Sequence, residues 1–128
     1  MKQQGIWHPR LSEIVASCGH GDLLVVADAG LPIPKGVEVV DLIYKSGAPS
    51  VDSVVGVILE ELVVESVVIA LESKLDQLKN IIEKISEFPV EKISHEDFKK
   101  ISSSAKAIVR TGEVIPFANV MLKAGVNF

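Results

Sequence analysis

Cysteine, aromatic residues and long hydrophobic runs are all scarce in this chain, and each scarcity removes a class of protein. The single cysteine, Cys18, forms no intrachain disulfide and no Cys-x-x-Cys site, which points to the cytoplasm rather than to an oxidising compartment. The longest unbroken apolar segment, around residues 54 to 59, falls far short of the roughly 20 residues that a membrane-spanning helix requires, so no membrane partner is expected. The opening residues, Met1 to Pro9, lack the apolar stretch of a secretory signal. Basic residues number 13 against 17 acidic ones, for a net charge of −4 with no basic cluster, which argues against a nucleic-acid surface. The three histidines, His8, His20 and His95, show no His-x-x-His or Glu-x-x-His spacing, so no metal site is expected. There is no Gly-x-Gly-x-x-Gly fingerprint, no Gly-Lys-Ser/Thr phosphate loop and no Gly-x-Ser-x-Gly elbow, which leaves nucleotide binding and serine nucleophiles unsupported.

What the chain does have is branched aliphatic residues. Valine contributes 19 residues and isoleucine 13, whereas aromatics make up only 5%, a balance that favours buried strands over a helical bundle. At 128 residues the length suits one domain spanning 1–128, large enough to bury a core without staples. The mean hydropathy of +0.36 is high for so small a chain and points to oligomerisation.

Hydrophobic periodicity orders the chain into alternating elements. Leu11, Ile14, Val15 and Cys18 share a helical face after Pro9, with Gly19 placed to end the helix. Residues 22 to 28 enclose a strand-length run, and residues 37 to 44 read as a second, edge or half-covered strand. A helix through about residue 63 is expected after Ser50, then a strand over 64–71 and an amphipathic helix over 74–86 carrying Leu75, Leu78, Ile81, Ile82 and Ile85 on one face. A short strand over 90–93, a helix capped by Ser94, a strand over 105–110 and a closing strand within 116–126 complete the pattern. Such alternation predicts an α/β fold, a largely parallel central sheet flanked by helices, with ligand sites at the carboxyl ends of strands. Asp28 and the Thr111-Gly112-Glu113 turn both stand at such ends.

The candidate chemistry is sparse. His20 follows a helix end inside Gly19-His20-Gly21-Asp22, where it is either a general acid/base or a ring resting against the helix-terminal carbonyls. Asp28, before Ala29-Gly30-Leu31-Pro32, either orients that ring, binds a sugar hydroxyl or forms an ordinary turn. His95 sits beside a helix cap, and Lys99 shares its helical face four residues later. Phe117 and Asn119, two residues apart, would project from one side of a strand and offer a ring face and an amide to a polar ligand, if they are not a core ring and a turn residue. Each is weak alone.

Taken together they are specific. Gly19-His20-x-Asp22, Ala27-Asp28-Ala29-Gly30-Leu31-Pro32, Ser94-His95-Glu96-x-Phe98-Lys99, Arg110-Thr111-Gly112-Glu113, Pro116-Phe117-Ala118-Asn119 and Ala124-Gly125-Val126 resemble the D-ribose pyranase family in order and spacing along essentially the whole chain. The chain also resembles the related L-fucose mutarotases, which share Gly-His-Gly-Asp and a Thr-Gly-Glu block, but Ala-Gly-Leu-Pro after Asp28 favours the ribose branch. The resemblance implies a cofactor-free isomerase that interconverts the pyranose and furanose forms of ribose. His20 would be the proton donor, with Asp28, His95 and the Phe117-Ala118-Asn119 segment as sugar-binding positions and Lys99 as their companion. It further implies ring-shaped homo-oligomers, pentamers stacked into decamers, with the sugar site near a subunit boundary. One departure stands out: the family commonly has Tyr where this chain has Phe117, and a lost hydroxyl contact costs roughly 0.5–1.5 kcal/mol. That leaves two alternatives in view: a non-catalytic ribose-binding or regulatory subunit, and a mutarotase for another sugar such as L-fucose.

Overall fold

The computed structural model describes residues 1–74 and 77–128. Among the described residues, ten elements follow one another: α1 (Pro9–Ser17), β1 (Leu23–Ala27), β2 (Glu38–Asp41), α2 (Val51–Leu59), β3 (Val64–Ala70), α3 (Lys79–Ile85), β4 (Val90–Ile93), α4 (His95–Ser102), β5 (Ala107–Arg110) and β6 (Val120–Ala124). The strands form one six-stranded sheet in the order β2-β5-β1-β6-β3-β4.

Five strands run in one direction and β6 runs against them. The pairs β1–β5, β2–β5 and β3–β4 are parallel, whereas β6 lies antiparallel between β1 and β3. The largely parallel sheet expected from the alternating pattern is thus present, with one central strand reversed. The reason is local: only residues 111–119 separate β5 from β6, without a helix, and a parallel crossover needs a dozen or more residues.

Burial on both sides of the sheet follows the apolar pattern. On one face Leu24, Val26, Val67, Ile69, Val109 and Leu122 pack against Leu11 and Ile14 of α1, Val55 and Ile58 of α2, and Ile81 and Ile85 of α3. On the other, Val25, Ala27, Ile108 and Met121 meet Phe98 of α4. Phe98 is fully buried, and losing such a ring costs on the order of 3–5 kcal/mol. The edge strands β2 and β4 are mostly exposed or half-buried, as the weak alternation of residues 37 to 44 implies.

Several boundaries differ from the expected ones. The helix expected from Lys74 begins at Lys79; the hydroxyl of Ser73 just before it is bonded to the Phe117 carbonyl at 2.6 Å, and Leu75 lies outside the described residues. The helix after Ser50 stops at Leu59, because the chain turns at Glu60–Leu62 to enter β3; its cap is as expected, the Ser50 hydroxyl accepting from the Ser53 amide at 3.2 Å. Gly19 does not end α1 in a left-handed conformation; Cys18 caps it in an extended one, and the reversal falls on Gly21, with φ of 87°. His8 turns out to cap α1, its Nδ1 accepting from the Leu11 amide at 3.2 Å. Among the described residues, no helix is long and apolar enough to cross a membrane.

Candidate active site

Because β6 alone is reversed, the sheet gathers two sets of polar residues at opposite ends. The carboxyl ends of β1, β3, β4 and β5 and the start of β6 bring together Asp28, Ser73, His95, Glu113 and Asn119. The other end carries the His20 turn before β1, Glu65 in β3 and Lys123 in β6.

At the first end lies a cleft of about 470 Å³, lined by Asp28, the Ala29-Gly30-Leu31 turn, His95 and residues 113–117. Asp28 is held rigidly. Its amide donates to Asn119 Oδ1 at 2.8 Å, Asn119 Nδ2 donates to its Oδ2 at 3.2 Å, and its Oδ1 accepts from the Gly30 amide at 3.0 Å. Asn119 is 1% exposed with both its side-chain amide atoms engaged by Asp28, and it precedes β6 instead of sharing a strand with Phe117. Ala118 is likewise buried.

His95 opens α4, whose cap is the expected Ser94, its hydroxyl accepting from Asp97 at 3.1 Å. The His95 amide donates to Glu72 at 2.7 Å, and its ring meets the Phe117 ring edge-on, centroids 4.9 Å apart at 74°. His95 Nδ1 is buried without a hydrogen-bond partner among the described residues, a costly state. Lys99 is not in the cleft lining; it pairs with Glu96 at 2.6 Å on the surface of α4.

Phe117 adopts φ of 60°, a left-handed conformation that costs an L-residue roughly 1–2 kcal/mol. The Ser73 hydroxyl, bonded to its carbonyl, braces that conformation. Behind it Glu113 is 7% exposed, its Oε1 accepting from the amides of Val114 at 3.1 Å and Ile115 at 3.2 Å and its Oε2 from Val51 at 3.3 Å. Its own carbonyl accepts from the Ala29 amide at 2.9 Å, so one residue ties the Asp28 turn to the Phe117 loop. Gly112 makes this possible: a Cβ there would stand 2.4 Å from the Ala48 carbonyl oxygen. The Thr-Gly-Glu block is visible in the sequence, but the bracing by Glu72, Ser73 and Glu113 has no sequence signal of its own.

His20 is elsewhere. Its turn is built by Asp22, whose Oδ2 accepts from the Gly19 amide at 2.8 Å, and by Gly21, whose amide donates to the Ala124 carbonyl at 2.8 Å. The Gly19 amide, and then Lys106 at 3.3 Å, hold the Asp22 carboxyl below its usual range. His20 Nε2 lies 2.7 Å from Glu65 Oε2, not near Asp28. The five residues of β1 and their flanks separate the two by roughly 20 Å at about 3.3 Å per residue, so within one protomer Asp28 cannot orient the His20 ring.

Comparison with known proteins accords with this arrangement. The RbsD / FucU transport protein family matches residues 1–127. The D-ribose pyranase of Bacillus subtilis is 45% identical over the full length of both chains, and that of Petrotoga mobilis 44%. The structure of Bacillus subtilis RbsD complexed with D-ribose superposes with a TM-score of 0.93 at 44% identity, covering all of both chains. The fucose mutarotase of Streptococcus pneumoniae, solved with L-fucose, shares the fold at a TM-score of 0.79 and 24% identity over 96% of this chain and all of the other. By sequence and by fold, this chain belongs to the RbsD/FucU family.

Proposed function

We propose that this chain is a D-ribose pyranase, an isomerase that opens the cyclic hemiacetal of ribose and closes it again between pyranose and furanose forms. The carrying observation is the full-length match, in sequence and in structure, to proteins named for that activity and to one solved with D-ribose. The cleft suits a small polyol. The anchored Asp28 carboxylate accepts hydrogen bonds from sugar hydroxyls, His95 lines the cleft beside it, and the Phe117 ring offers an apolar face to the sugar C–H groups.

Ring opening needs a proton delivered to the ring oxygen while one leaves the anomeric hydroxyl; closure through a different hydroxyl reverses the traffic. His20 is the proposed proton donor. A histidine that gives and recovers a proton contributes roughly 10²- to 10⁴-fold, enough for a reaction that already proceeds in water. Since His20 stands at the end of the sheet opposite Asp28, the site is completed by a second copy that brings its own His20 to the cleft. Exposed apolar side chains at both places support such packing: Val114 and Leu71 at the cleft end, Val63 and Val126 beside His20. A homo-oligomer, pentamer-based and decameric, acting on ribose in the cytoplasm, is the assembly we propose.

Saturation-transfer NMR of ribose tests the reading. The protein should accelerate pyranose–furanose exchange and the His20→Ala variant should not; wild-type exchange in that variant would remove His20 from the mechanism. Ribose-induced thermal stabilisation without faster exchange would favour the non-catalytic binding role, and faster exchange of L-fucose than of ribose would reassign the substrate.

A further inference from the structure

The surroundings of His20 are built with more care than an exposed histidine requires. The β3–β6 ladder changes register between Val64 and Ser66, which leaves Glu65 as the extra residue of a bulge. Bulges re-aim side chains, and this one turns Glu65 toward the His20 turn. Gly125 permits it: a Cβ there would lie 3.0 Å from Glu65 Cβ, and the Gly125 amide donates to Val63 at 2.8 Å to hold the bulge in place. Lys123, the partner of Ser66 in the ladder, binds Glu65 Oε1 at 2.8 Å, while Oε2 faces His20 Nε2 at 2.7 Å. The His20 turn is pinned to the same strand through Gly21 and Ala124.

Each carboxylate oxygen therefore has its own partner. Lys123 first, and His20 second, keep the Glu65 carboxyl below its usual range, so it is ionised wherever the imidazole is neutral. An ionised carboxylate only accepts hydrogen bonds. The ring nitrogen facing it must then be the one that carries the hydrogen, and the other nitrogen holds the lone pair.

We infer that Glu65 is the positioning residue for His20: it fixes the neutral ring as the Nε2–H tautomer and leaves Nδ1 as the atom that exchanges a proton with the sugar. The inference rests on the assignment of His20 as proton donor. Protonated His20 donates from Nδ1 to the ring oxygen as its bond to the anomeric carbon breaks and the anomeric hydroxyl gives its proton to water, leaving the Nε2–H imidazole; on closure Nδ1 takes the proton of the attacking hydroxyl while water returns one to the former carbonyl oxygen. Lys123 supports this by holding the carboxylate in place rather than by touching the histidine.

The test uses the assembled protein labelled with 15N at histidine, read by long-range 1H–15N correlation at a pH where the ring is neutral. With three histidines, loss of signals in His20→Ala assigns the ring. Wild-type His20 should show Nε2 protonated and Nδ1 free, and Glu65→Ala should lose that preference. In exchange kinetics, Glu65→Gln should lower kcat about tenfold with KM for ribose within about twofold, since the cleft that binds sugar is untouched. Wild-type tautomer populations in Glu65→Ala overturn the inference. So does full kcat in Glu65→Gln when His20→Ala is inactive, an outcome that leaves the role of His20 standing. Full activity in His20→Ala overturns both.

Discussion

Asn119 grips Asp28 from two sides, its carbonyl oxygen accepting from the Asp28 amide and its own amide donating to the Asp28 carboxylate, across the junction of β1 and β6. The expected sugar ligand is thus aimed by a buried neighbour with no surface of its own.

That pairing makes Asn119→Ala informative. It leaves the Asp28 amide without its partner, at a cost of about 1–3 kcal/mol, and frees the carboxylate to rotate. We expect a lower melting temperature and a raised KM for ribose, with kcat less affected because Asp28 binds hydroxyls while the proton is carried by the His20 of a second copy; both are read from thermal denaturation and NMR exchange at varied ribose.

Phe117→Tyr adds a hydroxyl at the rim of the cleft without altering the backbone. If it reaches a sugar oxygen, KM should fall about two- to tenfold, the equivalent of roughly 0.5–1.5 kcal/mol. Phe117→Gly relieves the strain at φ of 60° but loses the edge contact with His95, so it should stabilise the loop less than it weakens ribose binding. Comparing the two by calorimetric titration separates backbone from ring.

Glu113→Ala removes a buried carboxylate that serves three backbone amides. Loss of charge-assisted hydrogen bonds of this kind costs about 1.5–3 kcal/mol each before relaxation, so the variant should melt well below the wild type. Glu113→Gln keeps the shape and one acceptor, and should recover part of both stability and KM.

The His20 turn should contribute to acid sensitivity. Asp22 has a lowered pKa in the folded chain, so its contribution is fully present above the ordinary aspartate value near 4 and is lost as pH falls through the folded value. Asp22→Asn should therefore be less stable than wild type at pH 7, and the two should converge once pH has fallen below the folded value. Melting curves across that range check the sign.

The sequence made the alternation of strands and helices plain, because Val- and Ile-rich runs separated by capped amphipathic segments leave few alternatives. The reversal of β6 was also within reach, since the nine positions 111–119 cannot hold a crossover helix. Asp28 and the Thr111-Gly112-Glu113 turn were legible as strand-end residues, whereas His95 and Phe117 were joined to them only through the family resemblance. The separation of His20 from Asp28 was not legible: closeness in sequence suggests closeness in space, whereas an intervening extended strand is the most effective spacer a chain has. Nor did spacing reveal that Glu65, forty-five residues away, is the neighbour of His20, because a bulge leaves no mark on periodicity beyond one misplaced residue.

Gly112 carries a consequence for mutational scanning. With the Ala48 backbone in the space a side chain would need, every replacement at this position must push apart the 45–49 loop and the segment leading to Phe117. A saturation library scored by activity would therefore rank position 112 beside His20 in intolerance, although it offers the sugar nothing. Sorting the same library by abundance as well would tell the two kinds of essential residue apart, keeping His20 variants and discarding those at Gly112.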